Sequence, residues 1–259
     1  MNEDQLTLSL VKDKIRQCEN KYMITCTGFL DMRQQTICSR LIKENHFARG
    51  FYYGGREDSE RRCAVFFPEY VELEEGASYS YFCREEEDNP LCIARASFKG
   101  KALSHRDFLG SLLGLGLKRE KIGDIYVHRD FADIVIMKDI GEFILSSYSA
   151  AGRTPLSVSI LPVSDIKEPE YTLGEKSFTV ASLRVDNVLS GAFGLSRGKV
   201  AEAIKAGLVF QNNMEVTKAE KQVAEGDKLN LRGKGKVVLE EIGGNTKKDR
   251  IFIRLKTYL

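Results

Sequence analysis

The pattern of hydrophobic and polar positions in the first third of the chain predicts a small unit of helices and strands. Apolar residues recur at helical spacing over residues 4–18 and 32–44, so we expect a helix at each. Asp31, followed by a glutamine three positions later, predicts a capping box at the start of the second helix. Short apolar runs at 63–67 and 79–83 predict strands.

The middle of the chain shows a more regular order of elements. Four apolar runs have the length and composition of strands, at residues 91–98, 124–128, 131–137 and 156–161. Helical patterns begin after Ser104 and at Gly141. The resulting order is β-α-β-β-α-β, which is the order of the ferredoxin-like plait. The third strand lacks the aromatic-rich pattern of RNA-recognition motifs, so base stacking on the sheet is not predicted.

The last third of the chain predicts two short helices among strands. The helices are expected at 185–192 and 197–206, and Gly207 predicts a left-handed residue that ends the second helix. Five strands are predicted, at residues 177–180, 208–211, 228–232, 236–241 and 251–258. Asn212 and Asn213 suit a tight hairpin, because asparagine tolerates positive φ.

Two polar segments divide the chain into three predicted α+β domains. An acidic run at 85–88 precedes an Asn-Pro pair, and the segment 162–169 is polar and contains two prolines. We therefore expect a small N-terminal α/β domain, a central ferredoxin-like (RRM-like) plait and a C-terminal α+β domain, at residues 1–87, 88–165 and 166–259.

Composition narrows the class of protein. The 259 residues are 42% hydrophobic and 29% charged, values typical of a soluble globular protein. The sequence has no run of about 18 apolar residues and does not begin like a signal peptide, so we expect a cytoplasmic protein without membrane contact. The six cysteines include no CxxC pair, which argues against a metal site and favours buried thiols.

The net charge of +2 is unevenly distributed along the chain. Residues 1–88 carry 12 Lys and Arg against 17 Asp and Glu, a net charge of −5. Residues 89–165 carry 10 against 8, a net +2, and residues 166–259 carry 17 against 12, a net +5. A polyanion is therefore attracted to the C-terminal third and repelled by the N-terminal third.

Candidate RNA-binding residues concentrate around the two helices of the last third. Ser196 is placed to cap the second helix, whose first N–H groups suit a phosphate, and Arg197 would add a bidentate bond there. Asp186 can only accept hydrogen bonds and is expected to orient Arg184 or the backbone rather than to touch RNA. The other candidates are basic residues that extend this surface, the last three on a glycine-spaced flexible loop: Lys199, Lys205, Arg232, Lys234 and Lys236.

This segment resembles the S4 RNA-binding domain. The family has a leading Arg-Leu-Asp-like motif, a Ser-Arg helix start, an Ile-x-x-Gly helix end and a Val-Asn-Gly hairpin. The sequence matches them at Arg184, Asp186, Leu189, Ser196, Arg197, Ile204, Gly207, Val209 and Asn212. Val200 stands where the family has a small residue, and Asn213 stands where it has glycine. The resemblance implies an S4 (αL-type) domain at residues 166–259 that binds structured RNA.

The segment 105–124 resembles the central-domain motif of the YlmH family, which are bacterial S4-domain proteins of ribosome-associated quality control. With the S4-like segment and the chain length, the resemblance covers essentially the whole chain. It implies binding to rRNA and tRNA on a large ribosomal subunit with obstructed peptidyl-tRNA, where family members support C-terminal tailing of the stalled chain. Lys118, Arg119 and Lys121 fall on a predicted loop, and either contact with RNA backbone or a solvated loop fits them.

Catalytic motifs find little support in the sequence. Gly114 and Gly116 follow a predicted helix and lack a third glycine, so no dinucleotide loop is expected. His46, His105 and His128 have no evident nucleophile or metal-ligand partner. We predict a monomeric protein that is not an enzyme and has no cofactor or metal. The alternatives are an RNA-modifying enzyme targeted by the S4 module and an adaptor linked to cell division through the acidic first domain.

Overall fold

The computed structural model describes residues 3–44, 49–73, 77–100, 102–167, 173–246 and 249–258. The helices are α1 (Glu3–Lys21), α2 (Met32–Lys43), α3 (Ala77–Arg84), α4 (His105–Gly114), α5 (Gly141–Ser147), α6 (Val185–Phe193) and α7 (Arg197–Lys205). The strands are β1 (Thr25–Leu30), β2 (Arg49–Tyr53), β3 (Arg62–Phe67), β4 (Leu91–Phe98), β5 (Ile122–Val127), β6 (Phe131–Met137), β7 (Ala150–Ala151), β8 (Thr154–Leu161), β9 (Leu173–Val180), β10 (Val209–Gln211), β11 (Met214–Glu215), β12 (Lys228–Leu231), β13 (Gly235–Asn245) and β14 (Ile251–Tyr258).

These elements confirm the predicted α+β class. The chain divides into two compact units, Met1–Glu170 and Tyr171–Leu259. Among the described residues, no helix has both the length and the apolar character needed to cross a membrane.

The first unit begins with a three-stranded antiparallel sheet in the order β1-β3-β2. Helices α1 and α2 pack against this sheet through a cluster of buried residues: Val11, Cys18, Cys38, Ile42 and Phe66. The start of α2 has the predicted capping box. The Asp31 carboxylate accepts a bond from the Gln34 N–H, and the Gln34 side chain accepts one from the Asp31 N–H, both at 2.9 Å. The cap fixes where α2 begins.

The second part of this unit is a five-stranded antiparallel sheet in the order β5-β6-β4-β8-β7. Apart from the two-residue β7, its elements follow the chain as β4-α4-β5-β6-α5-β8, which is the predicted β-α-β-β-α-β order. Helices α4 and α5 cover one face of the sheet, where Phe108, Leu112, Ile134, Ile136 and Ile144 are fully buried.

The opposite face of the plait packs onto the N-terminal sheet. Phe29, Val65 and Phe67 from the first sheet form one buried cluster with Ile93 and Val135 from the plait. Because apolar side chains from both sheets are buried in one cluster, unfolding of either sheet would expose apolar surface of the other. The boundary predicted between residues 87 and 88 therefore falls between two sheets that share this buried cluster, in addition to the cluster that each sheet forms with its own helices.

The segment predicted as a strand at 79–83 lies in helix α3, so that prediction is wrong. Its alternating aromatic residues favoured a strand. In the structure Phe82 is buried against Tyr53 and Phe67, with ring centroids 4.7 and 5.5 Å away. Strand propensity mainly reflects how well a side chain packs against its neighbours. Phe82 achieves that packing from helix α3, so its aromatic character did not require a strand.

Strands β1 and β2 have no counterpart among the predicted elements. In β1 the apolar pattern is interrupted by Gly28. A Cβ added at Gly28 would lie 2.7 Å from the carbonyl oxygen of Glu120, so the close approach of these two segments requires glycine.

The second unit is a six-stranded antiparallel sheet in the order β11-β10-β12-β13-β14-β9, with α6 and α7 packed against it. Its core includes Val185, Leu189, Val200, Ile204, Val209, Leu229, Leu239 and Ile253. Three residues have the predicted left-handed backbone: Gly207 at φ 68°, Asn212 at 53° and Asn213 at 63°. Gly191 in α6 allows close packing, because an added Cβ would lie 2.1 Å from the Phe178 ring.

Removal of the Asp133 carboxylate tests what stabilises the first unit. Asp133 is fully buried, accepts two bonds from the Arg95 guanidinium at 2.7 and 2.8 Å, and accepts one from the Lys167 N–H at 2.9 Å. Asp133→Ala leaves these donors without their acceptor. We expect the free energy of unfolding to fall by about 2–4 kcal/mol in urea denaturation.

Arg40→Ala is the matched control. Arg40 pairs with Glu44 at 2.9 Å, but the side chains are 85% and 59% exposed, so no measurable change in stability is expected. Equal stability of Asp133→Ala and wild type would show that the Arg95 contact is dispensable.

Candidate nucleic-acid interface

One buried carboxylate joins the starts of α6 and α7. Asp186 accepts bonds from Arg184 Nε and Nη2 at 3.0 and 3.1 Å, and from Arg197 Nη2 at 2.9 Å. The Asp186 side chain is only 6% exposed, whereas those of Arg184 and Arg197 are 34% and 57% exposed. The carboxylate therefore orients two guanidinium groups that remain accessible to solvent. The sequence predicted this orienting role for Arg184, and the structure adds Arg197.

The ionisation of these groups follows from their contacts. Burial alone would raise the pKa of Asp186, but hydrogen bonds and charge attraction from Arg184 and Arg197 outweigh it and lower the pKa from its ordinary value. The hydrogen bond to Asp186 in turn raises the pKa of Arg184. One aspartate between two arginines gives the cluster an excess of positive formal charge.

The start of α7 lies at the surface, as predicted. Ser196 caps the helix, because its Oγ accepts a bond from the Lys199 N–H at 3.2 Å. Arg197, Gly198 and Lys199 are exposed. The N–H groups of Arg197 and Gly198 precede the first intrahelical bond, so this turn presents backbone donors together with two basic side chains.

Lys205 and the basic loop lie at the other end of α7. Lys205 follows Lys199 by six residues, which corresponds to about 9 Å along the axis and a different side of the helix. Beyond this helix end, the Leu208 carbonyl accepts a bond from the Arg232 N–H at 3.0 Å. Two basic regions thus flank α7, and Lys205 belongs with the loop rather than with the helix start.

The segment containing Arg232, Lys234 and Lys236, predicted as a glycine-spaced loop, forms a tight hairpin turn between β12 and β13. Leu231 pairs with Gly235, and the Lys234 N–H donates to the Leu231 carbonyl at 2.9 Å. The two glycines of the segment have φ values of 80° and 129°, which only glycine adopts easily. The Arg232 guanidinium lies 5.5 Å from the centroid of the Phe210 ring. The hairpin therefore presents its basic residues in a defined arrangement.

Two exposed lysines beside this surface were not predicted from the sequence. Lys218 and Lys221 belong to a loop whose backbone anchors the start of α6. The Lys221 carbonyl accepts a bond from the Val185 N–H at 2.9 Å, and the Ala219 carbonyl accepts one from the Asp186 N–H at 3.2 Å. No local motif marks these lysines, because their position depends on bonds to residues more than thirty places earlier.

The three basic candidates of the plait differ in what they contact. Arg119 Nη1 donates to the Ile122 and Gly123 carbonyls, and burial, with repulsion from a nearby arginine, lowers its pKa to about 10. Lys121 pairs with Asp139. Lys118 is exposed. Arg119 and Lys121 thus have structural partners, and Lys118 is the candidate whose side chain is open to solvent.

Across the described ranges, no three His, Cys, Asp or Glu side chains come together in a group that could hold a metal ion. His105 is exposed at the start of α4, and partial desolvation, with repulsion from Arg119, lowers its pKa. His128 stacks on Phe131 with ring centroids 4.3 Å apart. His46 lies outside the described residues.

Comparison with known proteins identifies relatives of the chain. Residues 86–165 match the family model described as "Putative RNA-binding domain in YlmH". The chain is 34% identical over 237 residues to ribosome-associated protein quality control protein P2 of Bacillus subtilis, covering 91% of this chain and 88% of the relative. The solved cell division protein ylmH from Streptococcus pneumoniae aligns at a TM-score of 0.52 with 21% identity, over 65% of this chain and 96% of that one.

The likeness to the solved structure concerns the fold alone. The family match, the relative and the basic surface together define the class, an RNA-binding protein of α+β fold. The chain belongs to the YlmH family, as its sequence motifs indicated. The matched range of residues 86–165 coincides with the plait.

The lowered pKa of Asp186 gives a prediction about pH. A carboxylate whose pKa is lower in the folded state stabilises the fold above its unfolded pKa of about 3.9, and this stabilisation is lost as pH falls through the folded pKa. We expect Asp186→Asn to be less stable than wild type by a constant amount from pH 8 to 5, with the difference shrinking below pH 4 in denaturant titrations.

Asp13→Asn serves as the control. Asp13 is 56% exposed and lies 3.9 Å from Arg16, so Asp13→Asn should change the free energy of unfolding by less than about 1 kcal/mol. If the difference in free energy of unfolding between wild type and Asp186→Asn already shrinks between pH 8 and 6, the pKa of Asp186 is not lowered in the folded state.

Proposed function

We propose that the chain is a non-catalytic RNA-binding protein that acts on the large ribosomal subunit in ribosome-associated quality control. The observation that carries the proposal is the pairing of Arg184 and Arg197 with buried Asp186 at the starts of two helices. This pairing holds two guanidinium groups at the surface before any ligand arrives. Preorganised donors lose less entropy on binding a phosphate than mobile side chains do.

We assign the second unit to the S4 type. Support comes from two short helices, α6 and α7, packed against an antiparallel sheet. The left-handed Gly207 follows α7, and a two-residue turn at Asn212 and Asn213 joins β10 to β11. These are the places where the family motif has its helix end and its hairpin. The proposed RNA-binding residues are Arg184, Asp186, Ser196, Arg197, Lys199, Lys205, Arg232, Lys234, Lys236 and, from the plait, Lys118, Arg119 and Lys121.

The proposed RNA-binding residues have different roles. Arg184, Arg197 and the first turn of α7 would bind backbone phosphates, and Asp186 would act by positioning the arginines rather than by touching RNA. Lys205 and the β12–β13 hairpin would bind a second stretch of the backbone on the other side of α7. Two separated phosphate sites select a particular RNA shape, since both must be filled at once.

The proposed cellular partner is a large subunit that carries obstructed peptidyl-tRNA, with binding to rRNA and tRNA and a role in C-terminal tailing. The name of the Bacillus subtilis relative supports a place in ribosome-associated quality control. The charges support a site where the acidic first third stays away from RNA, because it carries 17 acidic against 12 basic residues up to position 88. We propose a monomer acting in the cytoplasm.

The RNA site is tested by Arg197→Ala combined with Lys199→Ala. We expect affinity for purified large-subunit rRNA to fall by about tenfold or more. The salt dependence of binding should become shallower by about one unit for each phosphate that the variant no longer neutralises. Fluorescence titrations at several salt concentrations measure both quantities, and a thermal melt checks the fold.

Lys12→Ala combined with Arg16→Ala is the control with the same change in charge. Both residues are exposed on α1, and their replacement should leave RNA affinity unchanged. If the α7 variant binds rRNA as tightly as wild type, the start of α7 is not the RNA site.

The cellular partner is tested by sucrose-gradient fractionation of lysate after translation stalling. We expect the protein to sediment with free large subunits more than with intact ribosomes, and the Arg197, Lys199 variant to shift toward the top of the gradient. Two linked RNA-binding surfaces raise the effective affinity, so removal of one should be visible. Wild type that stays at the top at low salt, or that follows the small subunit alone, would refute the assignment even if rRNA binding in solution is intact.

A further inference from the structure

The plait has an open edge along β8. This strand pairs with β4 from Leu156 to Leu161, whereas β7 pairs only with Thr154 and Pro155. The Leu156 N–H donates to the Ser149 carbonyl at 2.8 Å. Beyond that bond, residues 157–161 have no other strand on their outer side within the described ranges.

The bond from Leu156 shows which backbone groups point outward. In an antiparallel strand the N–H and C=O of one residue point to the same side, and the side alternates from residue to residue. Since the Leu156 N–H points away from β4, the N–H and C=O of Val158 and Ile160 also point away from it. Ser157 and Ser159 pair with β4 instead.

The β8 edge lacks the features that prevent other edge strands from pairing with a further strand. Residues 157–161 are Ser-Val-Ser-Ile-Leu, with no charge and no proline, and their pairing with β4 has no bulge. The opposite edge strand of the same sheet, β5, has an irregular register between Ile122 and Ile125. In the second unit the edge strand β11 has two residues, and β9 carries Glu175 and Lys176.

An apolar groove adjoins the open edge. Its volume is about 400 Å³, and it lies between α5 and the end of β8. Leu145, Ile160, Leu161 and Pro162 contribute its apolar wall, and Leu145 is 54% exposed. A strand added beside β8 would direct alternate side chains toward Val158, Ile160 and this groove.

Two carboxylates give the groove a negative charge. Glu86 and Glu142 line it, and in the part of the chain that the structure describes neither forms an ion pair. Lys138 also lines it, with its Nζ donating to the carbonyl oxygens of Glu86 and Glu87 at 3.5 and 3.1 Å, and the two carboxylates with this one ammonium leave a net charge of −1. An occupant with a basic residue beside its apolar side chain fits this surface. The 157–161 strand of a second copy has no basic residue to offer.

We propose that the β8 edge binds an extended segment of another protein as an additional antiparallel strand. The segment places one large apolar side chain in the groove and a Lys or Arg beside Glu86 and Glu142. Backbone bonds to Val158 and Ile160 supply affinity, and the groove supplies selectivity. The peptide site belongs to the first unit, whereas the proposed surface around Asp186 belongs to the second.

The test uses a phage library of random dodecapeptides selected on the immobilised full chain, followed by fluorescence anisotropy with the most enriched peptide. We expect enriched sequences to share a bulky apolar residue with Lys or Arg next to it or two positions away. Val158→Pro removes one outward N–H while leaving the bonds to β4, and Val158→Thr keeps that N–H. We expect the Kd to rise about tenfold in Val158→Pro and to change little in Val158→Thr.

A second pair of variants probes the groove without altering the strand. Leu145→Ala should weaken peptide binding by a similar factor, whereas Phe143→Ala, on the same helix and 42% exposed, should leave it unchanged. The proposal is overturned if no peptide is enriched over a library selected without protein, or if Val158→Pro and Leu145→Ala bind the peptide like wild type. It is also overturned if wild type sediments as a dimer that Val158→Pro converts to a monomer, because the edge then serves a second copy.

Discussion

The buried carboxylate of Asp186 is the constraint on which the candidate RNA surface depends. A charge removed from water is costly unless it is paired, so the folded second unit must hold Arg184 and Arg197 against it. These arginines stand at the starts of different helices. The same pairing therefore fixes α6 and α7 relative to each other and keeps an excess of positive charge at the surface, where the capped first turn of α7 adds backbone donors.

The first unit depends on a different constraint, the burial of both faces of the plait. Helices cover one face, and the N-terminal sheet covers much of the other. On that second face the Phe131 ring has Arg95 4.8 Å from its centroid and His128 stacked on it. RNA-recognition motifs stack bases on the exposed face of their sheet. In this protein the N-terminal sheet covers much of the corresponding face, and the sequence lacks the aromatic-rich strand that such stacking uses.

Basic residues that look equivalent in the sequence acquire different roles in the fold. Arg119 and Lys121 were candidates for RNA binding, yet both have partners within the first unit. Lys218 and Lys221 carried no recognisable motif, yet their loop supports the start of α6. The difference arises because solvent exposure and ion pairing depend on neighbours brought together by folding, not on neighbours in the chain.

The sequence by itself determined features set by short stretches of chain: the cap at Asp31, the left-handed Gly207, the β-α-β-β-α-β order and the family. Such features depend on residues a few positions apart, whose backbone preferences act before the chain folds. Only the tertiary structure decided that two sheets share a buried cluster, that α3 is a helix and that Asp186 also binds Arg197. These depend on distant groups, as when Arg61 donates to the Arg119 carbonyl 58 positions away, and no local pattern encodes which distant groups will meet.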